Sequence, residues 1–179
     1  MAGRESSSFP RDYVRKVDST QTNWLIPWHQ DTALPLTARH NSLGWSSWPE
    51  KEGVRYAHAP AWALARVIAL RVHLDASEAE NGPLRVPPAS HESGVFTEQR
   101  DSSPRLDRQS HRLPGATCLA QPSGVLAMRP LLIHASSKAR NAEAWRVLHI
   151  EYADSLELSP GVRLAVAWRI ERPNNSLPL

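Results

Sequence analysis

The sequence predicts a mainly β fold, a sandwich or barrel of the jelly-roll kind. Three observations carry that expectation. Apolar runs are short, under ten residues, and many of the 15 prolines fall between them. Turn signals recur, among them Asn81-Gly82 and Pro122-Ser123-Gly124. Several segments alternate with the two-residue period of a strand. With 179 residues, the chain suits one domain over 1–179, of which residues 1–20 are expected to be partly disordered.

Met1 to Arg11 is polar and expected to fray. Asn23 to His29 (NWLIPWH) is short and aromatic, and Pro27 places it at a sheet edge or bulge. Thr37 to Gly53, rich in Trp, Ser, Pro and Gly, reads as a long loop whose Trp45 and Trp48 could cover a site. Ala61 to Arg66 fits one helical turn. Val67 to Asp75 (VIALRVHLD) reads as a strand with Val67, Ala69, Arg71, His73 and Asp75 on one face. Asn81-Gly82 signals a hairpin leading to Leu84-Arg85-Val86. Glu92 to Leu113 lacks periodicity and reads as a loop or insertion. Arg129 to His134 (RPLLIH), Trp145 to Tyr152 (WRVLHIEY) and Leu164 to Trp168 read as further strands.

Composition excludes several classes. Lys and Arg total 21 against 18 Asp and Glu, for a net charge of +3, and they are scattered. No basic cluster or module points to nucleic acid. No apolar stretch approaches a membrane span. One cysteine, Cys118, excludes an intrachain disulfide and suits a reduced, cytoplasmic setting, with Cys118 as a small buried hydrophobe.

The residues that carry chemistry are His29-Gln30-Asp31 and a distant His134 on an apolar run. Two imidazoles and one carboxylate on one face of a metal leave adjacent positions open. This is the arrangement of non-haem Fe(II) oxygenases. On a strand, His and Asp at i and i+2 point to the same side, so both reach one ion. His73-Leu74-Asp75 is a second His-x-Asp pair. On spacing alone either pair can join His134.

The stretches NWLIPWHQD (23–31), LRVHLDASEAENGPLRVPPASH (70–91), MRPLLIHASS (128–137) and WRVLHIEYAD (145–154) resemble the phytanoyl-CoA dioxygenase family of Fe(II)/2-oxoglutarate oxygenases. The likeness is to bacterial members and spans most of residues 23–154. It implies a double-stranded β-helix (cupin-like jelly roll) with few short helices. His29, Asp31 and His134 would be the iron ligands. The implied reaction couples decarboxylation of 2-oxoglutarate, with dioxygen, to hydroxylation of a small molecule, releasing succinate and CO2. His73 and Asp75 then become outer-shell or structural groups, and Ser136 a helper of the co-substrate or a strand-end cap.

The chain departs from the family pattern in two places. Only 28 residues precede His29, so the family's helical N-terminal region is expected to be short or missing. The family's paired arginines before the Val-Leu-His run are here Trp145-Arg146. A buried Arg is expected to grip the far carboxylate of 2-oxoglutarate. The even residues Arg146, Leu148, Ile150 and Tyr152 are the more apolar set, which favours Arg146 inward as that anchor. Arg140 is a weaker substitute.

Asp31 argues against a halogenase, which needs a small residue there for chloride. A non-catalytic jelly-roll protein, and a metal-bound cupin-like enzyme that does not use 2-oxoglutarate, are the alternatives. Trp24, Trp28 and Trp145 are expected in the core or pocket wall. His40, His58, His111 and His149 are expected at the surface. Ser90-His91 is expected to be structural or at the site rim, with Ala89 where Gly is more usual.

Overall fold

In a computed structural model, residues 7–11, 25–40, 43–51, 53–96, 115–141, 143 and 145–165 are described. The expectations for 1–6, 12–20, 97–113, 166–168, Asn23, Trp24 and His111 lie outside these residues.

Two four-stranded antiparallel sheets hold the site. The first has the order β1 (Ser7–Arg11), β11 (Val147–Ala153), β6 (Val67–His73), β9 (Val125–Met128). The second has the order β2 (Ile26–His29), β10 (His134–Ser136), β7 (Leu84–Val86), β8 (Ala116–Cys118). Apart from β7 and β8, neighbours within each sheet are not successive strands of the chain, the crossover pattern of a jelly roll. Ala69 and Met128 from the first sheet pack on Leu84 and Val86 from the second, with Cys118 half-buried against them.

A smaller sheet, β3 (Ala33–Leu36), β5 (Val54–His58) and β4 (Glu50–Lys51), joins the one-turn helix α1 (Ala61–Leu64) and the hairpin β12 (Glu157–Ser159), β13 (Val162–Arg163). Leu34, Leu36, Trp45, Leu64, Leu158 and Leu164 form the core there. By the usual area scale such side chains stabilise by about 1.5–3 kcal/mol each.

Pro27 sits on an edge strand, where its missing N–H costs no ladder bond. Several expectations need correction. Ser7–Arg11 is not frayed; it pairs with Ala153 back to His149 on β11. The loop 37–53 contains β4 and a bridge from Ser46 to His58, and Trp45 fills the smaller core instead of covering the site. Asn81-Gly82 is not a two-residue hairpin, because β6 and β7 lie in different sheets. The Asn81 side chain instead ties its own loop, donating to the Ala76 carbonyl at 2.7 Å and accepting from the Glu78 N–H at 2.8 Å. Residues 129–133 form a turn, and the strand begins only at His134.

Candidate metal centre

His29 ends β2 and His134 opens β10, and the two are directly paired across that ladder. Their rings lie 4.1 Å apart, centroid to centroid. Asp31 follows β2, and its N–H donates to the Pro130 carbonyl at 3.0 Å, which carries the pairing past the end of the strand. The Asp31 carboxylate lies 3.9 Å from His29 Nε2 and 3.7 Å from His134 Nε2. One ligand atom from each of the three residues falls within 4.8 Å of the others.

The tautomers follow from the backbone. His29 Nδ1 is 2.8 Å from the Pro27 carbonyl, and His134 Nδ1 is 2.9 Å from the Leu132 carbonyl. A carbonyl only accepts, so Nδ1 carries the proton in both rings and each Nε2 presents a lone pair to the centre. The partners of the two Nδ1 atoms are thus backbone carbonyls two residues upstream, and not His73 or Asp75. Burial pushes the His134 pKa down to about 4, against the opposing pull of Asp31.

Gln30, between His29 and Asp31, points the other way and ties that segment down. Its amide donates to the Gly94 and Leu131 carbonyls at 2.9 and 2.7 Å and accepts from the Phe96 N–H at 3.0 Å. Ser90, whose Oγ accepts from the Ile133 N–H at 3.0 Å, braces the turn before His134. Ala89 adopts a φ of 61°, which explains why glycine suits that position.

The three residues open on a cavity of about 260 Å³ between the two sheets. Ile26, Leu84, Trp145 and Val147 form its apolar wall, and Arg71, Ser136 and His149 its polar one. The Ser136 hydroxyl donates to the Gly82 carbonyl.

A model of the phytanoyl-CoA dioxygenase (PhyH) family matches residues 6–147. The chain belongs to the phytanoyl-CoA dioxygenase family. No curated protein matches it at a significant level. The fold is similar to EctD from S. alaskensis in its apoform, with a TM-score of 0.50 and 19% identity over 94% of this chain and 48% of that one. AviO1 from Streptomyces viridochromogenes Tue57 gives a TM-score of 0.48 and 19% identity over 88% of this chain and 54% of that one. EctD with bound Fe gives 0.47 and 24% identity over 60% and 37%. The chain thus spans about half or less of the length of these structures.

In this PhyH-family chain the register decides which residues of β11 face inward. Val147, His149, Glu151 and Ala153 are buried, and the alternating set is half-buried on the outer face. Arg146, just before the strand, shares the outward parity. Its side chain is 49% exposed and forms a two-pronged pair with Asp75, Nε to Oδ2 at 2.9 Å and Nη2 to Oδ1 at 2.8 Å. That pair holds the Asp75 carboxyl below its ordinary pKa, chiefly through the side-chain hydrogen bond. Neither Arg146 nor Asp75 reaches the cavity. Arg140 is 79% exposed beside Glu80.

His73 is buried behind the cavity wall, where its Nδ1 accepts from Trp145 Nε1 at 3.5 Å. Its hydrogen bond and ring contact are with Trp145, and not with His29, Asp31 or His134. Trp28 is half-buried under the Arg85 guanidinium, 5.3 Å from its ring centroid, and lines no part of the cavity. His58 is exposed as expected, but His149 is buried in the cavity wall with Glu151 3.8 Å away. The cavity residue that sequence reasoning passed over is Arg71. Its signal was a cation in the middle of an apolar strand, on the same face as His73. Among the described residues, no helix is long and apolar enough to cross a membrane.

Proposed function

We propose that this chain is an Fe(II)- and 2-oxoglutarate-dependent oxygenase that hydroxylates a small molecule and releases succinate and CO2. The observation that carries the reading is the convergence of His29 Nε2, His134 Nε2 and the Asp31 carboxylate, with both Nδ1 atoms committed to carbonyls. Two neutral imidazoles and a carboxylate suit Fe(II) and leave adjacent positions for a chelating 2-oxo acid and dioxygen. When bound, the metal supplies dioxygen activation, and the chain supplies position and exclusion.

The chain's own contribution is legible residue by residue. Gln30 and the two carbonyl contacts hold the donors in one geometry, so little reorganisation accompanies metal entry. Ile26, Leu84 and Val147 present an apolar wall that keeps water from the reacting face. The intact Asp31 carboxylate leaves no vacancy for a halide, consistent with hydroxylation.

Anaerobic titration of the apo-protein with Fe(II) and 2-oxoglutarate tests the reading. A weak visible charge-transfer band of the chelate is expected in the wild type and lost in His29→Ala. Iron uptake with no band would instead favour a metal-binding protein that does not use 2-oxoglutarate. No iron uptake would overturn the ligand assignment.

A further inference from the structure

A half-buried cation that lines a cavity, with its Nε sealed from solvent and unpaired, calls for an anion. Arg71 stands on β6, opposite His149 on β11 and Leu126 on β9, so it occupies the middle of the first sheet. Its side chain lines the same cavity as His29, Asp31 and His134. Among the described residues its Nε is buried with no hydrogen-bond partner. Among the described residues no carboxylate forms an ion pair with it. The carboxylate charge that acts on it is that of Asp31, already committed to the metal centre under the reading above. A charge held there without a partner is unfavourable until an anion arrives.

Trp145 prepares Arg71 for that partner. The Arg71 guanidinium carbon lies 5.7 Å from the Trp145 ring centroid, within the range of a cation–π contact. Trp145 itself is 3% exposed and anchored through Nε1 on His73. It stands at the first position of the family-like Arg-Arg pair, so the ring sits where a cation would be expected, and a cation from the neighbouring strand lies against it. The cavity, about 260 Å³, is slightly below the usual range for ligand sites (roughly 300–1,000 Å³). It suits a short dicarboxylate.

We propose that Arg71, not Arg146, grips the distal carboxylate of 2-oxoglutarate, with Trp145 holding the guanidinium plane. Arg71 is a co-substrate-binding residue that came to the site from β6 instead of β11. The inference rests on the oxygenase reading, and the test separates the two.

The test compares 2-oxoglutarate with 2-oxobutyrate, which has the same chelating head and no distal carboxylate. Anaerobic Fe(II) uptake is measured by calorimetry, and binding of each acid by the charge-transfer band. The wild type is expected to prefer 2-oxoglutarate by at least about tenfold, the worth of a charge-assisted hydrogen-bonded pair. Arg71→Gln is expected to lose that preference by weakening 2-oxoglutarate alone, with Fe(II) uptake intact. Arg71→Lys keeps a point charge without the fork and falls between. Arg146→Gln leaves the preference as in the wild type.

A wild-type preference retained in Arg71→Gln overturns the proposal, as does a preference abolished by Arg146→Gln. Iron uptake with no preference in the wild type also overturns it. Failure of the wild type to take up Fe(II) overturns the oxygenase reading, and the inference falls with it. If Arg71→Gln does not fold, Arg71→Lys decides: a reduced preference with intact Fe(II) uptake supports the grip, and an unchanged one overturns it.

Discussion

His29 and His134 face each other across one antiparallel ladder, each with its Nδ1 proton given to the carbonyl two residues upstream. The same local device thus orients both imidazoles, from strands more than a hundred residues apart in sequence. Two lone pairs and a carboxylate held this close repel one another until a cation arrives. Divalent metal should therefore stabilise the fold. At a hundredfold excess over Kd the gain is about 2.7 kcal/mol, a Tm rise of roughly 5–10 °C for a chain of this size. Differential scanning calorimetry with and without Fe(II) under anaerobic conditions measures it. His134→Ala should show no rise.

Gln30 is expected to matter to the metal without touching it. Its three hydrogen bonds join the ligand segment to the turn at Leu131 and to Gly94–Phe96. Gln30→Ala leaves those backbone groups unpaired and should cost about 1–3 kcal/mol in denaturant unfolding. Its Fe(II) affinity should fall by roughly 10–100-fold, the usual effect of losing an orienting partner. Unchanged affinity in a folded variant would count against the brace.

The apo-protein should lose stability as the pH falls from about 6.5 towards 4. Burial lowers the His134 pKa to about 4 in the folded state, against about 6.5 for an unfolded histidine. The unfolded chain then binds more protons in that window, so stability rises with pH through it and levels off above. The His134 contribution is on the order of 3 kcal/mol. Burial lowers the His73 pKa as well, with the same sign. Urea unfolding from pH 4 to 8 should show the slope in the wild type and a smaller one in His134→Leu.

Gly82 supports the site from behind. It has a φ of +76°, and a Cβ there would lie 2.5 Å from the Ser137 carbonyl oxygen. Gly82→Ala combines a disfavoured backbone conformation with a backbone clash, and should cost at least about 1–3 kcal/mol. Because the Gly82 carbonyl accepts from Ser136, the variant should also weaken 2-oxo acid binding. Equilibrium unfolding together with the chelate titration separates the two effects.

The sequence by itself determined the β class, the edge placement of Pro27, the helical turn at Ala61 and the three residues that meet at the centre. The first three depend on local chemistry, such as proline's missing N–H and the two-residue strand period; the choice of His29 and Asp31 over His73 and Asp75 rests on the resemblance of the surrounding stretches to the phytanoyl-CoA dioxygenase family. Which face of β11 looks inward was not local. The even set, Leu148, Ile150 and Tyr152, is the more apolar, and apolar faces normally point to the core. In this sheet large apolar side chains also lie outward, with Ile68 37% and Val125 57% exposed. The inward side sets Arg71, His149 and Glu151 among Val67, Ala69, Val147 and Ala153.

Only the tertiary structure decided that Arg146 meets Asp75 at the surface and that Arg71 meets Trp145 at the cavity. Both choices are set by the register of β11 against β6, where Arg71 falls opposite His149 and Val147 opposite His73. A shift of one residue in that ladder would reverse every side chain on the strand. Cross-strand pairing supplies that one-residue choice, and it comes from contacts between segments about eighty residues apart, which no window of the sequence contains.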